Sequence, residues 1–367
     1  MGEPQKGSRI RGSGKRRRKA SARRKTLTIT AWAAAGVVVL GGGGLGFLYF
    51  KLDGNLKSVD INAQLGKDRP RNVDNGSMDI LVLGSDSRAG ANSKYGKDEG
   101  GARSDTAMVV HVYQGHKKAS VVSIPRDTLI DRPDCTDSKG GTVSGAHQAM
   151  FNTAYESGGP ACAVKTVEQM SGIRMDHYLE VDFSGFQKLI DDLGGIPVTT
   201  SKAINDDKSH LTLAAGSHTL NGTQALGLVR TRHGVGDGSD LGRIQLQQAF
   251  IKALINRVKH VGVFTSPKKL YNLADTATKT VTADSGINSV NSLMSFANGL
   301  KGIGAGSTNM VTMPVEYDPA DLNRVIPLEA KARQVWTALK QDKPIPASAT
   351  KGSAGDQGGA SKVVTSS

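Results

Sequence analysis

Between residues 78 and 340, short continuous apolar runs alternate with stretches of helical periodicity. Met78 to Leu83 reads as a strand running into the polar turn Gly84-Ser85-Asp86-Ser87-Arg88. Asp105-Thr106 opens a second strand, Ala107 to Val112, and Ala119 to Ile124 is a third, closed by Pro125. Runs without polar alternation are the mark of buried neighbouring strands, not of an exposed meander. Further strands are predicted at 177–181, 196–200 and 310–315. Helical stretches fall at 161–170, behind Gly159-Pro160, and at 183–193, stopped by Gly194-Gly195. A short helix through Val229 is capped by Thr219 or Asn221. In 241–260, Ile244, Leu246, Phe250, Ile251, Leu254 and Ile255 repeat at helical spacing. Helices are also predicted around 268–274, 287–300 and 328–339. This interleaving predicts a three-layer α/β domain around a mostly buried sheet.

The two ends differ in kind. Residues 1–25 hold eleven Lys or Arg against Glu3 alone, so they carry +10 of the formal +14 and everything after them only +4. Thr26 to Phe50 is free of charge for twenty-five residues and closes at Lys51. About 20 apolar residues span a bilayer, so 26–50 is expected as a single transmembrane anchor, although Gly41 to Gly44 weakens it. The basic tail is then cytoplasmic and the rest extracytoplasmic. Cleavage after Ala33-Ala34-Ala35 is the rival, and it would leave too short an apolar core. A nucleic-acid role for 1–25 is disfavoured, because a basic run directly before a span is ordinarily an orientation signal. Residues 51–77 read as a polar connector, 78–343 as the extracytoplasmic domain, and 344–367 as a disordered Ala/Ser/Gly/Lys tail. Cys135 and Cys162 are the two cysteines, and outside the cell they are expected to pair.

The densest chemistry is Arg230-Thr231-Arg232-His233, followed by Asp240-Leu241-Gly242-Arg243 and Gln247-Gln248. Guanidinium groups hold phosphate or carboxylate oxygens in a planar fork. Asp86 and Arg88 lie just past the carboxyl end of a strand, where open α/β sheets place ligands. Arg103-Ser104-Asp105 enters the next strand, and Arg126-Asp127 leaves the third. If those strands are neighbours, carboxylates and guanidiniums meet at one sheet edge. Two Asp side chains with phosphate oxygens suit Mg²⁺, and arginines neutralise the remaining charge of a diphosphate. Singly, an Asp-Ser-Arg or Arg-Ser-Asp is more often a solvated loop. Gly84-Ser85-Asp86 is neither a P-loop nor a nucleophile elbow. His111, His116, His147 and His177 show no metal spacing.

Together these residues resemble the LytR-CpsA-Psr family of bacterial cell-envelope proteins. The resemblance runs through Gly84-Ser85-Asp86-Ser87-Arg88, Arg103-Ser104-Asp105-Thr106, Ser123-Ile124-Pro125-Arg126-Asp127, Asn152-Thr153-Ala154-Tyr155 with Gly158-Gly159-Pro160, Asp192-Leu193-Gly194-Gly195-Ile196, and the Arg230 to Gln248 segment. It implies an α-β-α sandwich with an apolar groove for a polyprenyl tail. It also implies a phosphotransferase that moves a glycopolymer from a polyprenyl diphosphate carrier to a peptidoglycan hydroxyl. By the same resemblance Asp86 and Asp105 hold Mg²⁺ (or Mn²⁺), and Arg126, Arg230 and Arg232 grip the diphosphate. Arg88, Arg103 and Gln247 support that grip, while Asp240 and Arg243 shape the rim, with Asp240 a candidate base for the acceptor.

Two positions depart from the family pattern: Met150 stands where a lysine is usual, and Leu246 where an arginine is usual. The loop between Asp86 and Asp105, with Lys94, Lys97, Asp98 and Glu99, is also long. Two other functions use the same residues. One is a polyprenyl diphosphate phosphatase or pyrophosphatase, with water as acceptor. The other is a non-catalytic lipid-sensing regulator, although twenty-five cytoplasmic residues are too few for a folded DNA-binding domain.

Overall fold

The computed structural model describes residues 49–85, 104–137, 139–232, 235, 238–262, 266–356 and 364–366. The expected anchor and the turn carrying Asp86, Arg88 and Arg103 therefore lie outside the described residues, apart from Tyr49 and Phe50. Among the described residues, no helix is long and apolar enough to cross a membrane.

A seven-stranded mixed sheet organises the unit from Leu52 onward. Its strands are β1 (Lys57–Val59), β2 (Met78–Ser85), β3 (Ser104–Val112), β4 (Ala119–Ile124), β5 (His177–Asp182), β6 (Val281–Asp284) and β7 (Thr308–Thr312), in the order β1-β6-β5-β2-β3-β4-β7. β2, β3 and β4 form an antiparallel meander, β5 runs parallel to β2, and β7 runs parallel to β4. The carboxyl ends of β2, β4, β5 and β7 and the amino end of β3 therefore share one edge. Every residue of β4 is buried, Ser120 and Ser123 included, which explains why its run shows no exposed polar face.

Seven helices matter here: α1 (Asn152–Ser171), α2 (Phe183–Asp192), α3 (Gly222–Arg230), α4 (Asp240–His260), α5 (Pro267–Thr280), α6 (Val290–Leu300) and α7 (Glu329–Lys340). One core joins Leu81, Leu83, Val109 and Val122 of the sheet to Val164, Val167, Leu241, Ile244, Trp336 and Leu339. A second core gathers Ile190, Ile196, Val198, Leu220, Leu228, Leu246, Phe250 and Ala253. α4 serves both, and every residue from Leu241 to Gln247 is buried. The amphipathic pattern expected for this helix holds only toward its carboxyl end, because its first two turns are enclosed on all sides. Leu246 packs into the second core, 1% exposed, and so does not reach the ligand edge.

Three expectations need correction. Residues 51–77 are not a mere connector: β1 pairs with β6, and Ile61 and Leu65 enter the first core. Arg69 there donates to Glu168 at 2.5 Å and 2.9 Å and to the Met175 carbonyl at 3.0 Å. Nor is the tail beyond Pro344 disordered over its described residues. Ile345 and Ala349 pack into the first core, and Val364 into the second, where Val364–Ser366 pairs with Val198–Thr200. Few apolar residues were visible in that segment, but each of the three is placed. Finally, the run 310–315 does not stay one strand. β7 ends at Thr312, and beyond Pro314 the chain makes a separate hairpin, Val315–Asp318 with Asp321–Pro327.

Cys135 and Cys162 form a disulfide with Cα atoms 5.3 Å apart. Gly158 lies against it, and a Cβ there would come within 2.6 Å of the Cys162 Cβ. α1 is kinked at Gly158 and Gly159, the latter at φ 66°. The segment before the kink, Asn152 to Ser157, was hidden in the sequence by the Gly-Gly-Pro break.

Candidate active site

The shared sheet edge carries the polar residues. Gly84 pairs with Thr106 and Ser85 with Ser104, so the register shift leaves Asp105 as the extra, bulged residue of β3. A bulge re-aims a side chain out of the ladder. Arg126 follows β4 and Pro125, and its Nη1 donates to Asp105 Oδ1 at 2.5 Å. Its Nε lies 3.5 Å from Asp127 Oδ2 and 3.6 Å from Asp240 Oδ1. Burial works against the charge of Arg126, but Asp105, Asp127 and Asp240 outweigh it and raise its pKa. The backbone N–H of Asn152 donates to the Arg126 carbonyl at 3.1 Å, so the Asn-Thr-Ala-Tyr segment props the arginine's loop.

Asp240 is the first residue of α4, behind its cap Ser239. It ion-pairs with Arg243 one turn on, and Arg232 Nη2 stands 3.6 Å away. Arg243 is 4% exposed and donates from Nη2 to the Asp105 carbonyl at 3.0 Å. Gln247 Nε2 donates to Thr106 Oγ1 at 3.0 Å and to the Val229 carbonyl at 2.9 Å, tying α4 to β3 and α3. Gln248 turns the other way, to Ser123 and Thr312. Both Asp240 oxygens, Arg126 Nε and Arg243 Nε are buried without a hydrogen bond in good geometry among the described residues. Such groups are rare in folded proteins and mark places where polar partners are wanted.

Arg230 ends α3, with its guanidinium 4.9 Å from the Phe183 ring centroid. Among the described residues no carboxylate lies within 4 Å of it. Arg232 follows after Thr231; its backbone N–H donates to Asp206 Oδ2 at 2.9 Å. Burial, then the nearby guanidiniums of Arg243 and Arg126, lower the pKa of Arg232. A cluster in which cations depress one another is one that an anion would relax. The cavity they enclose measures about 260 Å³ and is lined by Asp105, Thr106, Phe183, Asp206, Lys208, Arg230, Arg232, Arg243 and Gln247 among others.

Of the residues singled out in the sequence, the structure thus gathers Asp105, Arg126, Arg230, Arg232, Asp240, Arg243 and Gln247. Asp86, Arg88, Arg103 and His233 lie outside the described residues. Met150 pairs with Leu129 in a small hairpin and does not line this cavity. Phe183, Asp206 and Lys208 were not foreseen. The polar Asn-Asp-Asp-Lys-Ser run reads as an ordinary loop, and only the fold brings it over the arginines.

A sequence profile of the LytR_cpsA_psr family matches residues 48–341. The chain belongs to that family. Among relatives of this LytR_cpsA_psr chain is the "Cell wall biosynthesis protein LcpA" of Corynebacterium glutamicum, 34% identical over 310 residues, 77% of this chain and 59% of that protein. The chain therefore spans well under two thirds of that relative. The "Polyisoprenyl-teichoic acid--peptidoglycan teichoic acid transferase TagT" of Bacillus subtilis is 28% identical over 317 residues, 83% of this chain and 91% of TagT. The solved "LytR-Csp2A-Psr enzyme from Actinomyces oris" superposes with a TM-score of 0.58 at 24% identity, covering 78% of this chain and 96% of its own. That likeness concerns the mixed α/β fold.

Proposed function

We propose that this chain is a phosphotransferase of cell-wall assembly, moving a glycopolymer from a polyprenyl diphosphate carrier to a peptidoglycan hydroxyl. The observation that carries this is the cavity of about 260 Å³ at the sheet edge, rimmed by Arg230, Arg232 and Arg243, with Arg230 lacking any carboxylate within 4 Å among the described residues. The name of TagT supports the choice of carrier, polymer class and acceptor, and that of LcpA the setting in cell-wall biosynthesis.

Phosphoryl transfer asks chiefly for positioning and charge neutralisation. The acceptor hydroxyl oxygen attacks the phosphorus that bears the glycopolymer. The bond from that phosphorus to the bridging oxygen breaks, polyprenyl phosphate leaves, and a phosphodiester remains. Arg230, Arg232 and Arg126 hold the diphosphate oxygens, and Gln247 and Arg243 fix the Asp105–Thr106 edge against which they lie. Asp240 stands between the guanidiniums as the carboxylate placed to take the hydroxyl proton. Asp105 suits a hard cation: it is a bulged carboxylate with one oxygen on Arg126 and no donor to the other among the described residues. Asp105, with Asp86, would hold Mg²⁺ or Mn²⁺, which supplies charge neutralisation at the phosphates. On this reading the domain is a three-layer α-β-α sandwich, residues 26–50 are its single transmembrane anchor, 1–25 are cytoplasmic and the catalytic domain is extracytoplasmic. Tethering raises the effective concentration of a lipid-borne donor.

Full-length protein in detergent, given a polyprenyl diphosphate-linked oligosaccharide, Mg²⁺ and peptidoglycan fragments, is expected to yield a phosphodiester-linked product by mass spectrometry. The product should vanish with Asp105→Ala and with a chelator. Tight donor binding without turnover would refute the proposal in favour of a sensor.

A further inference from the structure

A second cavity, of about 460 Å³, opens on the other side of Arg232, which lines both. Its inner wall is Arg126, Asp127 and Asp240, and its outer wall is the hairpin of Val315–Asp318 and Asp321–Pro327. The hairpin is stitched to the loop that carries Arg126. Thr128 bridges to Val325, Val325 N–H donates to the Asp127 carbonyl at 3.4 Å, and Arg324 Nη1 lies 3.9 Å from Asp127 Oδ1. Whatever the hairpin holds is thus held in a fixed relation to Arg126.

The two cavities differ in what they ask for. In the first, Arg230 has no acidic partner among the described residues, which calls for an anion. In the second, each of the three arginines has a carboxylate within 4 Å, two carboxylates serving all three. Arg126 and Arg324 face Asp127, and Arg126 and Arg232 face Asp240, all at 3.5 to 3.9 Å. A polar cavity whose cations are all ion-paired suits a neutral, hydroxyl-rich ligand. Its rim adds an apolar platform, because Tyr317 is 39% and Leu322 72% exposed. These are two of six large apolar side chains exposed among the described residues, and they share one hairpin at one cavity mouth. An aromatic ring with an amide such as Asn323 beside it is a fitting surface for the apolar face and hydroxyls of a sugar ring.

Resting on the phosphotransferase proposal, we propose that this cavity is the acceptor subsite. It takes the glycan of the acceptor, with the Tyr317 ring and Leu322 packing on a sugar face. The acceptor hydroxyl then reaches the diphosphate past Arg232, beside Asp240. The platform lies outside the charged cluster, so its role is to position the acceptor.

The test compares Tyr317→Ala, Leu322→Ser and Tyr317→Phe with wild type in the full chain. The donor is a polyprenyl diphosphate oligosaccharide, and the acceptor is soluble peptidoglycan glycan strands of a few disaccharides. The acceptor KM should rise about tenfold in Tyr317→Ala, as for loss of one good apolar contact. Leu322→Ser should shift it the same way, donor KM should stay put, and Tyr317→Phe should restore wild-type behaviour. A rise in donor KM with acceptor KM unchanged would assign the cavity to the donor's sugar and overturn the proposal. Binding of the glycan strands alone, followed by saturation-transfer NMR, separates the two levels. Turnover in wild type with strand binding unchanged in both truncations sinks the subsite and spares the reaction. Strand binding lost in Tyr317→Ala, with no transfer even in wild type, sinks the reaction and retains a glycan site.

Discussion

Arg230 and Arg243 line the same cavity and should nevertheless fail in opposite ways when replaced by alanine. Arg230 has no ion pair among the described residues, and its recorded contact is the Phe183 ring at 4.9 Å. Losing a partly exposed cation–π contact costs about 0.5–1 kcal/mol. For a unit of about 300 residues, at roughly 2.1 cal/mol/K of unfolding entropy per residue, that is about 1–2 °C in Tm. Arg243 is buried, paired with Asp240 and hydrogen-bonded to the Asp105 carbonyl. Breaking a buried pair costs about 3–5 kcal/mol. Arg126 and Arg232 still stand 3.6 Å from Asp240, so the low end applies. About 3 kcal/mol corresponds to about 5 °C. Transfer activity should fall about a hundred- to a thousandfold in Arg230→Ala, as when one preorganised donor to a transition-state anion is removed. The direct readout is thermal melting with inorganic pyrophosphate. At a hundredfold over Kd, wild type should gain about 2.7 kcal/mol, or about 4 °C. Arg230→Ala should lose that gain while melting almost like wild type without ligand. If it melts as low as Arg243→Ala, or keeps the full pyrophosphate shift, the division between binding and structural arginines is wrong.

Three further outcomes test other parts of the structure. His111 is buried between Asp79 (2.8 Å) and Asp342 (3.0 Å); burial lowers its pKa, but the hydrogen bonds and charges of these carboxylates prevail and raise it above the ordinary 6.5. A raised folded-state value means stability that is complete below about 6.5 and lost as pH climbs through the higher folded value. The Tm of wild type should therefore fall over that interval, and a slope unchanged in His111→Gln would contradict the assignment. Gly222→Ala places a Cβ 2.2 Å from the Gln187 carbonyl oxygen, forcing α2 and α3 apart. It should lower stability by at least about 1–3 kcal/mol in urea unfolding, and an unchanged midpoint would show the helices less closely set. Val364→Ser removes a side chain 1% exposed in the second core and should cost about 1.5–3 kcal/mol. No shift would restore the picture of a loose tail.

Much of the architecture was written in local pattern. β4 occupies the span of its apolar run, Ala119 to Ile124, and Asn221 caps α3 with a full capping box. The meeting of Asp105 with Arg126 was foreseeable once 78–83, 107–112 and 119–124 were taken as neighbours, and the antiparallel meander makes them so. What escaped depends on partners distant in sequence. β1 and β6 are short strands that acquire meaning only by pairing, β1 with β6 and β6 with β5. Val364 finds its place beside Thr200, and Lys208 reaches the cavity because Asp206 takes the backbone N–H of Arg232. Leu246 looked like a missing arginine until α4 proved to be enclosed by two cores. The hairpin at Tyr317 and Leu322 was invisible, since Val315 continues the apolar run of β7 and only Pro314 marks the break.

The central claim is that a sugar hydroxyl, not water, attacks the phosphorus. Running the reaction of the full chain in oxygen-18-labelled water, with donor, Mg²⁺ and peptidoglycan strands, tests this most directly. Transfer predicts a phosphodiester product whose phosphorus carries no heavy oxygen, formed in step with polyprenyl phosphate. Labelled sugar phosphate, appearing at the same rate whether or not the strands are present, would contradict it and make the protein a hydrolase.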